Sequence, residues 1–368
     1  MAVVRRLRLR DVRGYAGVDV ALGAGLTVVH GPNGGGKTNL LEGLYFACTG
    51  RSCRTANDRE LVRFDAGAAR AEADVLVGGE LHELAVGYQP GEPKRFTADG
   101  AVVERLLDVP FRPLVTVFLP DRLELVKGPP ALRRAHLDQL VTGLWPARAA
   151  ARRAYAQALA QRNALLPRVR SGAVGRAALR TWDLEVGRHA VAIREDRERA
   201  VGLVANRTAA IASALGLRDG AELRYRPRSR AASPEDFADE LAERLDGDLE
   251  RGFTGHGPHR DDFALVRGGR DLRVYGSQGE QRLGLLALLL AEREALEAER
   301  GAPPLLLLDD VMSELDVERR SRLVQRVSDG GQVVMTTTDL AHVPGAQAPG
   351  VLRLAVDAGV VREELRAA

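Results

Sequence analysis

Residues 305–314 read LLLLDDVMSE, four leucines without a polar break followed by the adjacent carboxylates Asp309 and Asp310. A strand that is apolar at consecutive positions is buried on both faces, as in a parallel sheet, and ligands of such sheets bind beyond the carboxyl ends of the strands. The aspartates therefore stand where a ligand is met. Far upstream, Gly31-Pro32-Asn33-Gly34-Gly35-Gly36-Lys37-Thr38 follows an apolar strand, residues 26–30, and opens an apolar helix, residues 40–46. Glycines at this spacing let successive backbone N–H groups converge on phosphate oxygens, and the helix start adds partial positive charge. The lysine brings a point charge to the β- and γ-phosphates. Residues 31–38 with Asn39 are thus read as the segment that holds ATP. Thr38 and Asp309 are the expected ligands of Mg²⁺, and Asp310 is the expected base that orients the attacking water.

The composition leaves room for such a machine and excludes others. At 368 residues the chain is long enough for one large domain or two ordinary ones. The formal charge is only +3, yet of 53 basic residues only Lys37, Lys94 and Lys127 are lysines. One of those three falls in the glycine loop. Cys48 and Cys53 are too few for a disulfide framework and lack a second pair of metal ligands. The longest apolar run, residues 283–291, falls far short of the roughly 20 residues that span a bilayer. The expectation is a soluble, cytoplasmic protein without a membrane partner.

Patterning along the chain divides it. Short β-rich runs separated by Gly and Pro over residues 70–118 predict antiparallel strands beside the nucleotide segment. From Ala131 to about Leu215, apolar residues spaced by three and four, such as Leu179, Trp182, Val186, Ala190 and Ile193, predict helices. A continuous helix over 176–215 would be roughly 60 Å long, with Gly187 and Gly202 as points of bending. Residues 147–230 hold 18 Arg against 7 Asp and Glu, so a phosphate backbone is one partner the lobe suits, and a solvated helix face is the other reading. The expected fold is α/β with a phosphate loop and mixed sheets, residues 1–125 and 250–368, interrupted by a mainly helical Arg-rich lobe, residues 126–249.

A third motif is Ser277-Gln278-Gly279-Glu280-Gln281, at the start of an apolar-striped helix running to about Glu299. Taken alone, it is an N-cap with a capping Glu. Upstream of Asp310 and downstream of the glycine loop, it is also an anion site at a positive helix end.

Together these features resemble the ABC-type ATPases, in the branch with chromosome-maintenance heads and recombination-repair ATPases. The match is similar to the RecF family in residues 50–55 (GRSCRT), 58–61 (DREL), 125–130 (LVKGPP), Arg133-Arg134, 257–263 (GPHRDDF) and 276–282 (GSQGEQR). The resemblance implies that Ser277, Gly279 and Gln281 of one subunit complete the ATP site of another, with Lys37, Asp310 and Ser277 serving hydrolysis. It implies residues 313–316 as the loop crossing that interface and Asp121 as a further metal contact. The switch His of the superfamily is absent, and Thr336-Thr337-Thr338-Asp339 stands in its place, with His342 nearby. The family implies a weak, DNA-stimulated ATPase that dimerises with ATP, binds DNA at single-strand gaps, and works with RecO and RecR to load RecA. The arginines of the helical lobe with Arg5, Arg8 and Arg10 are the expected DNA contacts. A transporter motor subunit and an SMC-like structural head are the rival readings; the missing switch His opposes the first and the short helical insertion the second.

Overall fold

A computed structural model describes residues 1–328 and 330–364, apart from the side chain of Asp121. The chain folds as two compact units, one from residues 1–122, 214–216 and 296 onward, the other from 123–213 and 217–295.

In the first unit, β1 (Ala2–Val12) and β2 (Tyr15–Ala21) form a hairpin, β3 (Leu26–His30) runs into the glycine loop, and α1 (Lys37–Thr49) leaves it. Then come β4 (Ala69–Val77), β5 (Glu80–Tyr88), β6 (Arg95–Ala98), β7 (Ala101–Val103) and β8 (Val115–Phe118). An antiparallel sheet has the order β2-β1-β4-β5-β6-β7. Along β4, Ala71, Ala73 and Val75 point into the core while Arg70 faces solvent, the alternation of a sheet covered on one face.

The second unit opens with α2 (Glu124–Lys127), α3 (Pro130–Leu144), α4 (Ala149–Arg170) and α5 (Leu179–Ala214). It continues through β9 (Glu222–Arg226), α6 (Pro234–Glu243), α7 (Leu245–Arg251), β10 (Asp262–Arg267), β11 (Arg270–Asp271), α8 (Leu272–Tyr275) and most of α9 (Gln278–Arg300). The long helix expected over 176–215 is present as α5, 36 residues without interruption. A Cβ at Gly187 would lie 2.6 Å from the carbonyl oxygen of Pro234, so the glycine admits the start of α6 against the helix.

One boundary differs from expectation. Residues 250–295 were assigned to the ATPase core, yet they stay with the helical unit. The reason is pairing: β10 is antiparallel to β9, Phe263 opposite Tyr225, in a sheet of order β11-β10-β9.

The first unit closes with β12 (Leu305–Leu308), α10 (Val317–Ser328), β13 (Val333–Thr337), β14 (Leu352–Asp357) and β15 (Val360–Glu363). Its second sheet has the order β15-β14-β3-β13-β12-β8, parallel except at the β15 edge. The antiparallel pattern expected over 70–118 thus ends before β8, whose buried Thr116, Val117 and Phe118 suit a two-faced parallel strand. Leu40, Leu41, Leu44 and Phe46 of α1 share one apolar core with Leu7, Leu9 and Val75 of the first sheet and with Val29, Leu307 and Val334 of the second. The helix behind the phosphate loop is therefore fixed from both sheets. Among the described residues no helix is long and apolar enough to cross a membrane.

Candidate nucleotide site

Parallel pairing brings the two distant motifs side by side. β13 lies between β3 and β12, so the loop after His30 and the carboxylates after Leu308 emerge at the same sheet end. Thr38 Oγ1 is 3.0 and 2.9 Å from the two carboxylate oxygens of Asp309. The metal ligands expected from sequence are therefore neighbours.

The loop wraps Lys37 rather than presenting it. Its Nζ donates to the carbonyl oxygens of Gly31 at 2.8 Å and Pro32 at 2.9 Å, and the residue is buried. Burial lowers the Lys37 pKa, opposed by the negative charges of Asp310 and Asp309. Pro32, Asn33 and Gly34 form the exposed crest. At the helix start, Tyr15 donates its hydroxyl to the carbonyl of Gly36 at 2.9 Å. Asn39 accepts from Arg54 at 3.2 Å, and Arg54 with Arg13 and Ser52 surrounds the buried Glu42 carboxylate. The segment 50–55 thus braces the first turn of α1.

Gly31 is the position with least freedom. Its φ is +149°, and a Cβ there would stand 2.0 Å from the carbonyl oxygen of Val356 in β14. Gly31→Ala is expected to displace the loop and weaken nucleotide binding by at least about 10-fold, with about 1–3 kcal/mol lost in stability. Titration with a fluorescent ATP analogue beside a urea melt checks both; unchanged affinity would show that the loop tolerates the shift.

Thr336, in the segment that stands where the switch His is expected, has a role at the carboxylates that the motif does not announce. Its hydroxyl donates to Asp309 Oδ1 at 2.7 Å and accepts from the Asp310 N–H at 2.9 Å, so one buried side chain fixes both aspartates. The sequence signal is a pair of threonines, Thr336 and Thr337, closing a strand otherwise apolar. Burial raises the Asp309 pKa, opposed by the hydrogen bonds from Thr336 and Thr38. Asp310 has a φ of +46°, and its Oδ1 is buried without a hydrogen-bond partner among the described residues. An acceptor aimed at no protein donor suits a water molecule. Nearby, Asp339 caps the turn Leu340–His342 through the Ala341 N–H at 2.8 Å, and His342 Nδ1 is buried without a partner among the described residues. Asp121 lies in the turn Pro120–Leu123, and its side chain falls outside the described residues.

In the second unit, Ser277 and Glu280 form the reciprocal cap read from sequence: Ser277 N–H donates to Glu280 Oε2 at 2.8 Å, and Glu280 N–H reaches Ser277 Oγ at 3.4 Å. The Ser277 N–H is the main cause holding the Glu280 pKa low. Ser277, Gln278 and Gly279 are exposed, as are Val274 and Tyr275 before them. Gln281, expected at the nucleotide, faces the other way. It is buried, and its Nε2 donates to the carbonyls of Leu272 at 2.8 Å and Gly276 at 3.1 Å. It shapes the loop that carries Ser277. Among the expected DNA contacts, Arg8 is committed instead to Glu72, Asp74 and Glu83 at 2.6–2.8 Å, because the neighbouring strands β4 and β5 place acids across from it.

A sequence profile described as an AAA domain matches residues 6–83. The DNA replication and repair protein RecF of Myxococcus xanthus is 40% identical over 96% of each chain. That of Acidothermus cellulolyticus is 38% identical over 90% of this chain and 92% of its own. Among solved structures, the recombination mediator protein RecF-ATP in the RecFOR pathway superposes with a TM-score of 0.87 at 26% identity, covering 99% of this chain and 98% of that one. An SMC head bound to the C-winged helix domain of ScpA shares the fold at a TM-score of 0.61 and 15% identity, over 99% and 98% of the two chains. The chain belongs to the RecF family, DNA replication and repair proteins built on the ABC-type, SMC-like ATPase fold.

Proposed function

We propose that this chain is an ATP-switched DNA-binding protein of recombinational repair and replication, whose ATP closes two copies on each other. The observation that carries the reading is the arrangement at β12: Asp309 joined to Thr38, and Asp310 beside it with an unmatched buried oxygen. The donor set fits the group. Among the described residues no three His, Cys, Asp or Glu side chains gather to hold a metal, so Mg²⁺ would enter with nucleotide oxygens completing its shell, held by Thr38 and Asp309, with Asp121 a further ligand. Bound there, the ion supplies neutralisation of phosphate charge. Lys37 exchanges two carbonyl acceptors for phosphate oxygens, and residues 31–39 line the phosphates. Asp310 orients the attacking water, and one carbon less than a glutamate makes hydrolysis slow.

Ser277 and Gly279, exposed at the start of α9, meet the nucleotide of a second copy, so ATP is an interfacial ligand and mass action couples it to dimerisation. The RecF-ATP structures belong to the RecFOR pathway, and by that relationship the DNA is a gap or single-strand junction, with RecO and RecR as partners in loading RecA.

Sedimentation velocity of the parent chain, Lys37→Ala and Ser277→Arg, with and without ATP and Mg²⁺, tests site and switch together while gapped-duplex binding is followed. ATP is expected to double the mass of the parent chain and tighten DNA binding on the order of 10-fold, with both variants remaining monomeric. If the parent chain binds ATP without change in mass or DNA affinity, a single-subunit ATPase replaces this reading.

A further inference from the structure

An exposed phenylalanine stands among arginines in the second unit. Phe253 follows the helix-ending Gly252 after α7 and is 40% exposed. The guanidinium of Arg260 lies 5.3 Å from its ring centre and that of Arg251 6.0 Å. Arg251 is tied to Asp248 at 2.9 Å. Arg260, by contrast, has no carboxylate partner among the described residues, and the ring is its neighbour.

The surrounding charges do not balance. Asp262 is occupied by Arg133 at 2.6 Å, and Asp261 by Arg197 at 2.9 Å, by the Tyr225 hydroxyl and by the Arg228 N–H at 2.8 Å. That leaves Arg134, whose side chain donates to the Asp261 carbonyl at 3.0 Å, and Arg228, which reaches the Arg260 carbonyl at 3.4 Å. Arg134, Arg228 and Arg260 thus share one turn, bonded to backbone or ring rather than to acids. Burial, then the nearby charge of Arg197, lowers the Arg134 pKa. A guanidinium stays charged regardless, and the charges of Arg197 and Arg260 beside Arg134 add positive potential that an anion would relieve.

Phosphates of any nucleic acid satisfy the arginines, but an aromatic face is of use only to a base that is out of its stack. Resting on the DNA-binding reading above, we propose that Phe253, with Arg134, Arg228 and Arg260, is a stacking subsite for an unpaired base of single-stranded DNA. The base lies over the Phe253 ring, and Arg260 swings from the ring to a flanking phosphate. Duplex DNA meets the same arginines without the ring. The subsite therefore distinguishes the single-stranded side of a junction from the paired side.

The test uses the full chain with ATP and Mg²⁺ and three probes: a single-stranded oligonucleotide carrying 2-aminopurine, a duplex of equal length, and a gapped duplex. Phe253→Ala is expected to weaken single-strand binding by about 5- to 100-fold, to abolish the 2-aminopurine quenching, and to leave duplex binding within about 2-fold. Phe253→Trp is expected to restore both binding and quenching. Arg260→Ala should weaken single strand and duplex alike and reduce the salt dependence by about one phosphate contact. Equal melting temperatures for the Phe253 variants and the parent chain separate the effect from misfolding. If Phe253→Ala binds the single strand as tightly as the parent, or loses single strand and duplex in equal measure, the stacking subsite is wrong and the DNA-binding reading survives. If the parent chain binds no DNA in any form, both fall together.

Discussion

Asp310→Asn is expected to bind ATP as the parent chain does and to hydrolyse it about 10²- to 10⁴-fold more slowly. The substitution keeps the volume of the side chain and removes its capacity as a base. Asparagine also tolerates the left-handed backbone that Asp310 adopts at φ +46°, and its N–H keeps the bond to Thr336 Oγ1 at 2.9 Å. The variant should therefore fold, bind nucleotide and dimerise, while remaining in the ATP-bound form. Single-turnover hydrolysis of radiolabelled ATP beside equilibrium nucleotide binding separates the steps. Equal hydrolysis rates in the two proteins would move the base to another residue, with Asp339 and His342 next to be changed.

The largest loss of stability is expected from Arg162→Ala. Arg162 is fully buried, with Nε donating to Asp183 at 2.7 Å and Nη1 to Asp248 at 2.9 Å and to the Thr254 hydroxyl at 2.6 Å. Removing one partner of a buried ion cluster leaves the others unpaired, a loss of about 3–5 kcal/mol and about 10 °C in Tm for a unit of this size. Burial already raises the Asp183 pKa against the pull of Arg162. Without the arginine, the folded state holds a proton there more tightly than the unfolded chain. The deficit should therefore be smallest below the unfolded carboxylate pKa, grow as pH rises through the raised folded pKa, and level off above it. Urea melts at pH 5 and pH 8 check the sign. A companion variant replacing Arg162, Asp183 and Asp248 together by apolar residues should regain most of the loss. A deficit in Arg162→Ala below about 1 kcal/mol at pH 8 would mean that water enters and solvates the acids.

The features legible in sequence were those written in short stretches. The glycine loop, the Leu305–Leu308 strand with its aspartates, the cap at Ser277 and the long α5 each carry a local pattern that the fold respects. Features that depend on distant partners were not legible. Residues 250–295 read as part of the ATPase core because nothing within them announces that β10 will pair with β9. Arg8 looked available until β4 and β5 set acids across from it. Gln281 reads as a polar residue of an anion-binding motif, and only the packing of its own loop turns its amide inward. Thr336 shows the converse: a residue taken as evidence of something missing proves to hold Asp309 and Asp310 together.

The seating of Gly31 against Val356 has a bearing on how the protein is made. Translation delivers the glycine loop long before the β14 backbone that backs it. Gly359 N–H, which donates to the Gly35 carbonyl at 3.2 Å, arrives later still. A nascent chain on the ribosome therefore carries the whole sequence motif without its supporting wall until β14 has been made. Support for the loop, and on the proposed reading nucleotide capture, therefore waits for β14.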